Sequence, residues 1–459
     1  MLVKRRDALF TALFGAGALG LRAIATGLPA WFIANPRKAT AADLSCAINP
    51  PGNLQYLIAS VSANGDPINC NCPGTYEAPS AVHPTDATMV STPVTLGGKS
   101  YGAAAPWAGL APAVLGRTSF FHHVTRSIVH GDQPKVLRLM GDTSNGEMIV
   151  SAYAKHLGPC LGTVQNEPVA VGAGTNASEL LSYSGRGLPS VSPTQLRQLL
   201  TGAGASGGFK GSTGSPLVAL RATRDMYLDQ LYDMAKSDGT GIQKAFIDAL
   251  ALSQTQVRDL ADTLHDTLSK INGDDVTGQS LAAAALISAK VTPVVTMHIP
   301  FGGDNHTDSN LAAEVAQTVS GVAAITTLMG NLSSMSLTDT VTFATLNVFG
   351  RNLDGIAKVT SMQGRDHYGN HNVCVMIGKN VAPSVIGGVT LANGALVASD
   401  IDSGTGSATA GADVPKDQTH AALARTLGVA LGIPSAQVDT DLVGTAGGKV
   451  IPAALTAVV

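Results

Sequence analysis

Val291-Thr292-Pro293-Val294-Val295-Thr296-Met297-His298-Ile299 is an apolar run of strand length, and the segments after it decide the fold. A helical pattern covers Asn310 to Leu332, a second strand Thr340 to Leu346 and a third Val373 to Ile377. Strand, helix, strand at this spacing predicts a mostly parallel sheet with right-handed crossovers, an α/β fold flanked by helices. Ligands of such sheets bind beyond the carboxyl ends of the strands, so the loops after these runs are where chemistry is expected.

Towards the N-terminus, Leu54 to Val61 reads as another buried strand, ended by the turn Asn64-Gly65-Asp66-Pro67, which puts Asp66 at a strand's carboxyl end. Residues 69–112, rich in Pro, Gly and Thr, read as a long irregular excursion, and Phe120 to His130 as a strand. Gly141 to Gly146 leads into a helical pattern over Glu147 to Leu157. Residues 192–290 show apolar positions at three-and-four spacing and are expected to form a helical insertion or lid with a Gly- and Ser-rich loop at Gly202 to Gly214. A last helix is expected over Gln418 to Leu431.

The chain has 459 residues, a net charge of −3 and 13% charged residues, about half the usual share. No basic stripe or run of like charges is present, so nucleic acid is not an expected partner. Lys4-Arg5-Arg6, an apolar stretch from Ala8 to Leu28 and Ala39-Thr40-Ala41 read as a twin-arginine signal over residues 1–41. The α/β domain is then expected over residues 42–459, in a periplasmic or secreted protein. No later run reaches the roughly 18 apolar residues of a membrane span, so no stable span is expected once the signal is removed. The five cysteines (Cys46, Cys70, Cys72, Cys160, Cys374) suit disulfides or a buried thiol in an oxidising compartment better than a zinc site, because Cys70 and Cys72 lack a second pair.

Two post-strand loops carry the chemistry. Gly302-Gly303-Asp304-Asn305-His306-Thr307-Asp308 and Gly364-Arg365-Asp366-His367-Tyr368-Gly369-Asn370-His371 together hold three carboxylates and three imidazoles. Carboxylate and imidazole together suit a divalent cation, and two ions about 4 Å apart would clamp the oxygens of a phosphoryl or sulfuryl ester. Ordinary turn chemistry is the alternative, since Asp, Asn and Gly favour turns. His122 and His123 lie in a strand and face opposite sides, so they do not chelate one ion together. His298 reads as a core histidine. No nucleotide fingerprint is present.

The ordered segments Asn64-Gly65-Asp66-Pro67-Ile68-Asn69, Gly303-Asp304-Asn305-His306, Phe349-Gly350-Arg351 and Gly364-Arg365-Asp366-His367-Tyr368 resemble motifs of the Tat-exported "domain of unknown function 1501" proteins of the alkaline phosphatase and sulfatase superfamily. The resemblance implies an alkaline-phosphatase-like fold and a centre for zinc or manganese built from Asp66, Asp304, His306 and His367, with Asp308, Asp366 and His371 as further candidates. It also implies a nucleophile at a helix N-terminus, for which Thr143 and Ser144 are the candidates and N-capping the alternative role. Where the family has Glu before its Phe-Gly-Arg this chain has Val348, which offers no lone pair, and Gly303 replaces its Trp. Two functions stand as expectations: an exported metal-dependent hydrolase of phosphate or sulfate esters, acting on a small-molecule ester or envelope component, or a non-catalytic binding or structural envelope protein on the same fold.

Overall fold

The computed structural model describes residues 52–140, 147–172, 187–188, 190–201, 226–227, 229–230, 232–234, 237, 264, 266–301, 303, 305–353, 364–441 and 447–456. Residues 1–41, where a signal is expected, and most of 202–263 lie outside them. In chain order the strands are β1 (Tyr56–Ser62), β2 (Ser91–Leu96), β3 (Lys99–Ala104), β4 (Thr118–His123), β5 (Val169–Val171), β6 (Ser190–Val191) and β7 (Val294–Met297). They continue with β8 (Val341–Asn347), β9 (Gly350–Arg351), β10 (His367–Tyr368), β11 (Asn372–Ile377), β12 (Ser384–Ile386), β13 (Val389–Ala392) and β14 (Ala395–Ala398). The helices that matter below are α1 (Ile68–Asn71), α2 (Gln133–Leu139), α3 (Ile149–Leu161), α4 (Val276–Ser288), α5 (Ala312–Ser334) and α6 (Thr419–Ala430).

Among the described residues, eight strands form one sheet in the order β12-β4-β11-β8-β1-β7-β5-β6. β1 runs parallel to both β7 and β8, as the strand-helix-strand spacing predicts. Strand β11 differs: it runs antiparallel to both β4 and β8. Its apolar pattern is that of any strand buried on both faces, and nothing in such a pattern carries direction.

Side-chain alternation builds two cores from one sheet. Tyr56 and Ile58 of β1 join Val295, Phe343 and Val375 beneath α4 and α5. Leu57, Ala59 and Val61 join Val294, Ala344 and Met376 beneath α3 and α6. With helices on both faces, β7 and β8 are buried at every position, and each such aliphatic side chain contributes about 1.5–3 kcal/mol. Helix α4 therefore covers the sheet directly. Helix α5, with the turn before it, is long and apolar enough to span a bilayer, but Val322, Ile325, Leu328 and Leu332 pack into the core.

Three segments depart from the sequence expectations. The excursion over 69–112 contains the β2–β3 hairpin, whose two-residue Gly97-Gly98 turn has φ of 56° and 79°. Both values are left-handed, which is the reason for two glycines at a tight hairpin turn. The strand expected to reach His130 ends at His123, after which Thr125 and Arg126 donate their backbone N–H groups to Gly369 O. The run from Val291 to Ile299 is strand only over Val294–Met297, which puts His298 past the strand end.

Candidate functional site

Strands β1, β7 and β8 end on one edge of the sheet, and the loops leaving that edge carry the candidate residues. Asp66 follows β1, is almost fully buried, and accepts a 3.3 Å hydrogen bond from the Ser62 hydroxyl. Burial pushes its carboxyl up to about 6, against the pull of nearby His298, the Ser62 bond and Arg351. His298 is not the core residue its apolar strand predicts; it is half-buried, with Nδ1 3.0 Å from Val61 O. Its place follows from where the strand ends, because it is the first residue after β7.

His306 and His367 point their Nε2 atoms at each other, 2.8 Å apart. His367 Nδ1 lies 2.7 Å from Ile128 O, and since a carbonyl only accepts, that nitrogen carries the proton. The His367 Nε2 lone pair is therefore aimed at His306. Phe349 stacks on the His367 ring at 4.3 Å, and His130 meets it edge-on at 4.5 Å. Desolvation lowers the pKa of His367, aided by Arg351, so the ring is held in its neutral, ligand-competent form. Asp366 Oδ1 stands 3.6 Å from His306 Nδ1, on the side of that ring away from His367.

Two buried arginines hold these loops together. Arg351 donates from Nε to Gly65 O and from Nη2 to Asn64 O and Gly303 O, which ties the loop after β1 to the loop after β7. Its backbone N–H donates to Asn69 Oδ1, and Asn69 Nδ2 returns a 2.7 Å bond to Arg351 O. The short β9–β10 ribbon pairs Arg351 with His367, so the Phe-Gly-Arg and Gly-Arg-Asp-His segments face each other. Arg365 forms a forked pair with Glu314 of α5, and both are fully buried. Sequence reasoning assigns no role to Arg351, Arg365 or Glu314; their signal is charge inside otherwise apolar or Gly-rich segments.

The other candidates are placed elsewhere. Both carboxylate oxygens of Asp308 are taken by the backbone N–H groups of Ala313 and Glu314, at 2.7 and 2.8 Å. This is the cap that α5 needs, because its first amides have no partner within the helix. His371 is fully buried in a separate chain of side chains, with Nε2 2.9 Å from His122 Nδ1 and Nδ1 3.2 Å from Asn69 Nδ2. Asp304, Thr143 and Ser144 lie outside the described residues. Among the described residues, no three His, Cys, Asp or Glu side chains gather closely enough to hold one ion. Cys70, Cys72 and Cys374 are buried free thiols, and Cys160 is disulfide-bonded.

Val348 is fully buried in an apolar cluster with Val136 and Phe349. Val348→Glu is therefore expected to lower the urea midpoint by about 1–3 kcal/mol of stability, the cost of a buried polar group without partners. A midpoint at or above that of the unsubstituted protein would show that the new carboxylate finds a partner, and the ring pair behind Phe349 would be the first place to look.

The profile of the family described as "Protein of unknown function (DUF1501)" matches residues 216–403. A solved structure of a protein in the alkaline phosphatase superfamily from Vibrio parahaemolyticus is similar at 13% identity and a TM-score of 0.28. The match covers 73% of this chain and 64% of that one, so the chain spans under two thirds of that structure's length. No curated protein matches the chain.

Proposed function

We propose that the carboxyl edge of the sheet is a hydrolytic centre for phosphate or sulfate esters, with a divalent cation held between His306 and His367. One observation carries the reading: the proton of His367 is committed to Ile128 O on the far side of its ring, so its Nε2 lone pair accepts the 2.8 Å bond from His306 Nε2–H, and a cation would take the place of that shared proton. That is how a ligating histidine is oriented, since the hydrogen bond at one nitrogen fixes the lone pair at the other. Two donors are fewer than the three protein ligands of a catalytic zinc site. Asp304, two positions before His306, is the carboxylate we assign as the third. A bound cation would act as a Lewis acid on the ester oxygen and would lower the pKa of a bound water.

This chain's own residues would do the rest. Arg351 fixes the spacing of the loops that bear Asp66 and His306, and Phe349 walls the His367 ring from water. Asp66, with its carboxyl near 6, is placed to hold or release a proton at neutral pH. Export by the twin-arginine route, read from Arg5-Arg6, is part of the same proposal and supplies folded protein to an extracytoplasmic compartment.

The test is elemental analysis of protein purified without chelators, paired with phosphomonoester, phosphodiester and sulfate ester assays. His367→Ala is expected to weaken ion binding by at least about tenfold and to abolish turnover. A metal-free protein that turns over esters at the unsubstituted rate would sink the proposal. The second reading, a non-catalytic binding protein, is favoured by Val348 in its apolar cluster and by Asp308 serving as a helix cap. One bound ion without turnover on any ester would favour it.

A further inference from the structure

We propose that the buried Glu314–Arg365 ion pair is a positioning device that sets the approach of His306 to His367; the inference rests on the site just proposed. Arg365 Nε and Nη2 donate to the two Glu314 oxygens at 2.5 and 3.0 Å. The remaining guanidinium bonds go to Asn352 O and Val82 O, at 2.9 and 2.6 Å. Asn71 Nδ2 donates to Glu314 Oε1 at 3.2 Å, and the Glu314 N–H donates to Asp308 Oδ2. The network therefore grips three segments at once. Asn71 ends the helical turn that follows Asp66, Asp308 stands two residues after His306, and Arg365 stands two residues before His367.

Stability alone does not account for this arrangement. Two charges taken out of water are seldom worth more than apolar side chains of the same volume, and such replacements are often neutral or stabilising. What a guanidinium–carboxylate fork supplies instead is direction, because two parallel bonds fix angle as well as distance. Here the fork joins the first turn of α5 to the strand that bears His367. A backbone bond from Gly364 N–H to His306 O, 2.7 Å long, completes the frame.

The deciding variants are the double substitution Glu314→Leu with Arg365→Met, which keeps the volume and removes both charges, and Arg365→Lys, which keeps the charge and removes the fork. Three quantities are read: the urea midpoint, zinc affinity by chelator competition, and the His367 ring-nitrogen shifts in the metal-free protein. The double variant is expected to keep a midpoint close to that of the unsubstituted protein, to lose the Nδ1–H signature of His367, and to bind zinc at least about tenfold more weakly. Unchanged His367 shifts and zinc affinity in a folded double variant would overturn the inference. Should that variant fail to fold, Arg365→Lys decides in the same way. If the unsubstituted protein binds no zinc, the metal reading fails by itself, and the His367 shifts still test the positioning.

Discussion

Gly364→Ala is expected to separate the two imidazoles and to lower stability by about 3 kcal/mol, the upper end of the usual cost of overpacking. A methyl carbon on Gly364 would sit 1.8 Å from Asn305 O and 2.8 Å from Asp308 N. Both are backbone atoms, so no side chain can swing aside. Relief requires that the 305–308 loop move away from the segment 364–367, and the Gly364 N–H to His306 O bond is the first to break. The His306–His367 separation depends on that bond. Urea unfolding together with zinc affinity measures the effect: a lower midpoint and weaker binding are expected together. A stable Gly364→Ala protein with unchanged zinc affinity would mean that the loops adapt independently, which would also weaken the positioning role given to Arg365. Gly65 obeys the same logic from the other side, since its φ is +72° and a side chain there would run into the Phe349 ring.

The fold was legible where burial alone writes the pattern. β1, β7, β8, α5 and the sheet they imply followed from apolar runs and a helical period, because a strand covered on both faces must be apolar throughout. The reversal of β11 was not legible, since hydrogen-bond direction leaves no trace in side-chain identity. At the site, His306, His367 and Asp366 of the two loops lie near one another, but the composition of the loops could not say which polar groups serve the backbone. Asp308 has the chemistry of a ligand and the geometry of a cap. His371 has the chemistry of a ligand and lies in a sealed pair with His122. Sequence spacing measures neither where a lone pair points nor which amide lies within reach of it. Arg365 and Glu314 are 51 residues apart, so their pairing became visible only when α5 folded back over the sheet edge.

Acidification from pH 6.5 towards 4 is expected to remove stability, through two imidazole pairs on opposite faces of β4. His122 Nε2 lies 3.1 Å from Pro73 O and must donate, so its Nδ1 accepts from His371 Nε2, whose own Nδ1 accepts from Asn69. On the other face, His420 Nε2 donates to Val136 O, and its Nδ1 accepts from His123 Nδ1. The acceptor nitrogens of His122, His371 and His420 are engaged in these bonds, and a further proton on any of the three would set two donors against each other. Burial accordingly pushes His122 and His420 down to about 4, and burial with the neighbouring histidines pushes His123 and His371 well below their usual value. The unfolded imidazoles bind protons near 6.5 while the folded ones do not, so the unfolded state gains protons across this window and stability falls with pH. For His122 and His420 the loss is on the order of 3 kcal/mol each near pH 4, a large part of a typical stability of about 5–15 kcal/mol. Asp66 opposes it: with its carboxyl raised to about 6, the folded state holds that proton more tightly than the unfolded chain, and acidification below 6 favours folding at this position. Glu147, which burial raises to about 7, opposes it in the same way, and His83, which burial lowers to about 4, adds to the loss; two carboxyls against five imidazoles leave the net sign negative. Urea midpoints near pH 7.5 and near pH 4.5 read the difference, and the double variant His123→Phe with His420→Leu is expected to lose about half of it. Stability that is flat or rising on acidification would show that these pairs accept protons without separating, and the hydrogen-bond directions assigned to the four rings would then be wrong.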